Sequence, residues 1–267
     1  MIGAFQNFIQ IVVRQRFLIL AMAKRDITAQ YVGSLLGVIW TIIHPLVLIF
    51  VFWFVFSVGF KVKPTNDVPF VVWLTAGMAP WFLFAQILTS AVGSVIVHAN
   101  LIKKTVFHSE ILPLISIASG IVTHCVFLVL LISLLFLQQI ELSFYVFQFI
   151  YYLFCLCVLT LGIGWIVSSL NVFFRDVSQV VGVVIQVGFW STPIFWDINM
   201  MPPKVQMVLK LNPMFYIVQG YRDSFIYQTG FWEHPYLSLY FWTVTLCILA
   251  VGVVVFQRLK PQFADVL

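Results

Sequence analysis

Ala99-Asn100-Leu101-Ile102-Lys103-Lys104-Thr105-Val106-Phe107-His108-Ser109-Glu110 is a polar, basic interruption between two long apolar runs. Its reading decides the fold. Two adjacent lysines are too costly to carry through lipid, so the apolar helices on either side must end here, in water. The stretch is helix-compatible and holds a Phe of the kind usually buried, which makes it a handle that needs a water-facing partner.

Outward from the handle, the composition says the same. The chain has 267 residues, 62% hydrophobic and 9% charged, and its mean hydropathy is +1.06. Soluble domains hold roughly 45–50% apolar and about 25% charged residues. The expectation is an all-α integral membrane protein. A bilayer core of about 30 Å takes about 20 apolar residues per helix. Six such helices use half the chain or more, so one transmembrane domain over 1–267 is expected.

No n-region, apolar h-region and small-residue cleavage site follow one another at the start, so no signal peptide is read. Cys125, Cys155, Cys157 and Cys247 all fall inside apolar runs, without a disulfide or zinc pattern. The net charge of +5 reads as orientation signals and contacts to anionic membrane lipids, with no nucleic acid as partner.

In order, Phe5, Phe8, Ile9, Val12 and Val13 recur at helical spacing opposite Gln6, Asn7, Gln10 and Arg14. That pattern predicts an amphipathic cytoplasmic interface helix within 1–34, closed in water by Lys24-Arg25-Asp26. Helices 1–5 are expected within 35–196, at about 35–59, 69–98, 112–137, 144–170 and 177–196. Pro45 should kink the first. Ala85, Thr89 and Gly93 in the second, and Thr160, Gly164 and Ser168 in the fourth, form small-residue faces suited to close helix contact. The connection 197–234 is divided by prolines into two short amphipathic helices, expected to dip into the outer leaflet. Helix 6 follows at 236–256 and a tail at 257–267. With the amino terminus inside, inner segments carry Arg14, Arg16, Lys24, Arg25, Lys103, Lys104, Arg175, Arg258 and Lys260. The outer side carries Lys61, Lys63, Lys204, Lys210 and Arg222. The excess puts both termini in the cytoplasm.

Catalysis inside a membrane needs paired carboxylates, a His cluster or an activated nucleophile. None can be read, so no catalytic residue, no metal and no enzyme activity are expected. His44 and His124 stand alone within spans, where bonding to a neighbouring helix is the expected role. Nor do midplane carboxylates support ion coupling. No lysine follows a glycine, so the phosphate-cradling G-x-x-x-x-G-K-[ST] loop is absent. Transport by this chain therefore needs a separate motor.

Several segments together carry a resemblance. They are Arg25-Asp26 through Tyr31-Val32-Gly33-Ser34-Leu35-Leu36-Gly37-Val38-Ile39-Trp40 with Pro45, Asn100 to Phe107 with Glu110-Ile111-Leu112-Pro113-Leu114, Asn171-Val172-Phe173-Phe174-Arg175-Asp176-Val177, Pro193-Ile194, Leu211-Asn212-Pro213 and Leu259 to Leu267. In this order they resemble the permease subunit of type-2 ABC exporters for O-antigen and related cell-surface polysaccharides. His108 departs from the pattern, standing where many relatives have proline. The resemblance implies a homodimer of six-helix subunits in the bacterial inner membrane, bound to two copies of a P-loop ATPase that holds ATP and magnesium. It implies a lipid-linked polysaccharide as substrate and a periplasmic gate in 197–234. It makes the handle a coupling helix for the ATPase, with Asn100, Lys103, Lys104, Thr105, Phe107, His108 and Glu110 as its residues.

Arg25 and Asp26 sit beside it, and Arg175 with Asp176 forms either a helix-end ion pair or a cytoplasmic gate. Trp53, Trp73, Trp81, Phe84, Trp190, Phe195, Trp196, Tyr216 and Tyr221 crowd the outer half, as a glycan path or as a membrane aromatic belt. Two alternatives stay open. One is a type-2 exporter of teichoic acid, capsule glycan or a smaller lipid or drug; the other is a membrane-embedded enzyme or scaffold without transport.

Overall fold

The computed structural model describes residues 2–62, 68–104 and 107–267, with only backbone for 2–7 and 38. Lys63 with the rest of loop 63–67, and Thr105 and Val106 of the handle, lie outside the described residues. The helices are α1 (Ile2–Ala29), α2 (Trp40–Trp53), α3 (Phe70–Val97), α4 (Ala99–Lys104), α5 (Leu112–Leu137) and α6 (Phe149–Phe173). There follow α7 (Val177–Ser191), α8 (Pro203–Lys210), α9 (Pro213–Arg222), α10 (Pro235–Leu259) and α11 (Phe263–Val266). No strand occurs among the described residues. Five helical stretches are long and apolar enough to cross a membrane: Trp40–Gly59, Phe70–Lys104, Ser109–Leu137, Phe144–Phe173 and Pro235–Val266.

α3 is the central column. Most of its residues are buried, because α5, α6, α7 and α9 all pack against it. α2 and α7 are peripheral: α2 buries only Thr41, Pro45 and Ile49, one stripe at four-residue spacing, and α7 buries only Val181. Much of their remaining apolar surface faces outward, as a lipid environment permits, while Phe52, Ile185 and Phe189 pack partly against the core.

Pro80 lies inside α3 without ending it. The expected close-packing face of the fourth span is real: a Cβ on Gly164 would sit 3.1 Å from Pro113 and 3.5 Å from Ala91. In the face at Ala85, Thr89 and Gly93, no atom of the described residues lies within 4 Å of a Cβ on Gly93.

Several boundaries differ from expectation for local reasons. The amino-terminal helix runs on through Lys24-Arg25-Asp26 to Ala29, with Ile19, Met22 and Ala23 inward at i, i+3 and i+4. It is about 42 Å long at 1.5 Å per residue. The first span starts in a 3-10 turn at Gly37–Ile39 and ends in a π-helix at Phe54–Gly59. Asn171 is not in a loop; it is in the last turn of α6, buried, and its amide donates to the Val92 carbonyl at 2.9 Å. The fifth span is the largest correction. α7 stops at Ser191 because Pro193 lacks an N–H and pushes Thr192 into extended backbone. Its 15 residues reach about 22 Å, short of a bilayer core of about 30 Å.

Candidate functional site

α3 carries one end of the molecule to the other. Trp73 lies in its first turn, and His98 caps its last. The 25 helical steps from one to the other span about 38 Å at helical rise. The handle begins immediately after His98. In the same neighbourhood Phe8 meets Trp165 at 5.0 Å and Phe173 meets Phe263 at 6.4 Å. Both terminal segments and the α6–α7 turn therefore share the handle end.

α4 splits its residues by helical spacing. Asn100, Lys103 and Lys104 occupy i, i+3 and i+4 and are exposed. Leu101 and Ile102 point the other way, into a core built from Ile111, Leu112, Phe256 and Phe263, against which Phe107 also packs. Three elements then brace the stretch. Gln15 of α1 donates to His108 Nδ1 at 3.0 Å. Trp165 of α6 donates to the Glu110 carbonyl at 3.1 Å. Lys260, beyond α10, meets Glu110 Oε1 at 2.6 Å. The expected coupling residues thus divide in two: Asn100, Lys103 and Lys104 face outward, while Phe107, His108 and Glu110 hold the handle to its own subunit. Thr105 lies outside the described residues.

Arg25 and Asp26 do sit beside the handle. The Arg25 guanidinium donates to His98 Nε2 at 2.7 Å, and His98 Nδ1 lies 2.9 Å from the Ser94 carbonyl. Both contacts fit a single neutral tautomer, protonated on Nδ1. Arg25 also lies 3.6 Å from Asp26. Arg175 and Asp176 are exposed in the turn between α6 and α7, and among the described residues neither joins an ion pair.

The far end holds the aromatics. Of the nine expected on a glycan path, Trp73, Trp81, Phe84, Phe195, Tyr216 and Tyr221 are buried within the subunit. They serve its packing: Tyr216 bonds Ser238 at 2.8 Å, and Tyr221 bonds His124 Nε2 at 2.9 Å. Only Trp53, Trp190 and Trp196 keep accessible surface, Trp190 at 54%. His124 thereby fills the role expected of it, with its Nδ1 3.3 Å from the Ala79 carbonyl.

At the same end sits a residue that sequence reading counted only as an outer charge. Arg222 closes α9 and is 2% exposed. Its guanidinium donates to the Pro193 and Ile194 carbonyls, both at 2.8 Å, and lies 3.5 Å over the Trp73 ring. Hydrogen bonds to a charged group are worth roughly 1.5–3 kcal/mol. Gly77 makes the room, since a Cβ there would come within 2.8 Å of Nη2. Burial pulls Arg222 down to about 9, with Tyr227, Asp197 and Asp223 opposing the shift. Burial likewise pushes Asp223 up to about 6, although Gln219 and His234 favour its charged form. A weak signal for this pin existed in the sequence: Pro193 and Arg222 both interrupt apolar stretches, 29 residues apart. Among the described residues no group of three metal-ligating side chains occurs.

The sequence profile of the ABC-2 type transporter membrane family matches residues 17–226. An O-antigen export system permease protein, RfbA of Klebsiella pneumoniae, is 29% identical over 251 residues, covering 94% of this chain and 95% of that protein. The polysialic acid transport protein KpsM of Escherichia coli is 21% identical over 253 residues, 91% and 93% of the two chains. The capsule polysaccharide export inner-membrane protein CtrC of Neisseria meningitidis serogroup B is 22% identical over 248 residues, 89% and 88%.

Proposed function

Because the chain belongs to the ABC-2 type transporter membrane family, we propose that it is the permease subunit of an ATP-driven exporter that moves a lipid-linked polysaccharide of the O-antigen type across the bacterial inner membrane. The working unit is a homodimer bound to two copies of a P-loop ATPase, with both termini in the cytoplasm. The sixth span of the reading is α7, the shorter apolar helix beside the five long ones. The export functions for which these relatives are named support the substrate class.

The observation that carries the coupling role is the handle itself. A short helix with Asn100, Lys103 and Lys104 outward is braced on its inner side by α1, α6 and the tail. A lever must be exposed to its driver and stiffly joined to what it moves, and this arrangement meets both needs. The peripheral α7 supports a channel between subunits, since it leaves Gln179 and Gln186 exposed on a mainly apolar helix. Amide groups facing lipid are costly, whereas facing water or a partner copy they are not. Arg175, Asp176, Arg25 and Asp26 then line the cytoplasmic approach. The glycan meets chiefly Trp53, Trp190 and Trp196, whose rings suit the apolar C–H faces of sugars.

Deleting the gene should remove long-chain polysaccharide from the cell surface while lipid-linked chains accumulate inside, and the wild-type chain supplied in trans should restore export. An unchanged surface polysaccharide in the deletion strain would contradict the proposal.

A further inference from the structure

Below Arg222, between α9, the turn after α7 and the start of α3, lies a cavity of about 370 Å³. Its size falls within the range of small-molecule sites, about 300–1,000 Å³. The wall contains Asp197, Asn199, Lys210, Arg222, Phe215 and Tyr227. The wall is both polar and aromatic.

Three features of this wall point to a ligand. Arg222 Nε is buried and has no hydrogen-bond partner, while the other two guanidinium nitrogens are engaged. Among the described residues the guanidinium joins no ion pair. A buried charge so placed gains from polar contents in the adjoining space. The exposed Asn199 side-chain amide and the Lys210 ammonium, in the turn before α8 and at its end, join no hydrogen bond or ion pair with other described residues. The wall also carries charges of both signs. A strongly anionic ligand meets Asp197, and a cationic one meets Lys210 and Arg222. Hydroxyl groups both donate and accept, so a neutral polyol meets the Asn199 and Lys210 donors without setting a net charge beside Asp197, whose Oδ1 accepts from the Asn199 backbone N–H at 2.9 Å.

Phe215 and Tyr227 add surface for C–H contacts. Resting on the proposed export function, we infer that this cavity is a binding site for one neutral sugar ring of the exported glycan, at the end of the subunit opposite the handle. Since α8 and α9 form its wall, an occupied cavity braces both short helices against α3. The site therefore reads single sugars as the chain passes the gate region, and it sets a preference among them.

The test uses the full-length protein in lipid nanodiscs and the methyl glycosides of the sugars released by acid hydrolysis of the host strain's own surface polysaccharide. Saturation-transfer NMR should show transfer to the ring protons of at least one glycoside. In N199A/K210M that binding should weaken about tenfold, the scale of one hydrogen bond to a charged group. Should the double variant not survive purification, Asn199→Ala alone, at an exposed side chain, carries the comparison. Absence of transfer from every glycoside, an unchanged signal in the variants, or binding of inorganic phosphate alone would overturn the assignment. If the deletion strain has lost its surface polysaccharide while the protein binds no glycoside, only the cavity is refuted. If that strain keeps its polysaccharide, the export reading falls with it.

Discussion

Glu110 does two jobs with different atoms: its backbone carbonyl accepts from Trp165, and its carboxylate meets Lys260. The second carboxylate oxygen is buried without a partner, so the Lys260 ammonium is the charge that keeps this group tolerable. Lys260→Met strands the carboxylate and should destabilise more than Glu110→Gln. The side chains are 36% and 22% exposed, so solvent screening keeps the coupling at or below about 1 kcal/mol. A double-mutant cycle on thermal unfolding of the detergent-purified protein measures it; single-mutant effects that simply add would contradict the pairing. Sequence could not have supplied this pair, because the partners are 150 residues apart and no local spacing links them. It did supply His124, since an isolated imidazole inside an apolar helix has to find a neighbour, and Tyr221 is that neighbour.

Among elements, small-residue spacing was informative about faces but not about partners. Thr160, Gly164 and Ser168 mark a face that packs closely at Gly164, whereas Gly93, in the face with Ala85 and Thr89, has no such contact among the described residues. The tightest helix pair escaped the pattern. α6 and α10 approach so closely that a Cβ on Gly252 would lie 2.5 Å from the Gly162 carbonyl oxygen. Neither glycine has a small residue four positions away: Val158 and Ile166 flank one, Ile248 and Phe256 the other.

Gly252→Ala should therefore push the helices apart and cost about 1–3 kcal/mol, as overpacking does. The unfolding midpoint of the purified protein reports it, and an unchanged midpoint would show that the approach is not restrictive. The short α7 was misread because the apolar run continues through Ile194-Phe195-Trp196. Composition does not record that Pro193 and the Arg222 guanidinium together turn the backbone away.

Across the whole molecule, charge collects at two ends joined by α3. One end presents Lys103 and Lys104 on a braced handle; the other pins α9 through Arg222 and encloses the polar cavity. Composition alone made the chain a membrane protein, and the lysine pair located the break between its second and third long helices. The route from handle to far end was not legible, because it depends on which helices α3 touches, and apolar helix faces look alike in sequence.

The central claim is that a separate ATPase drives this subunit through Asn100, Lys103 and Lys104. The direct measurement is co-purification of the permease with its ATPase, followed by ATP turnover with and without the lipid-linked glycan, for wild type and K103E/K104E. The account predicts that wild type retains the ATPase and responds to glycan. The charge-reversed chain should insert normally yet lose the ATPase or its glycan response. An ATPase held and stimulated equally by both would contradict it.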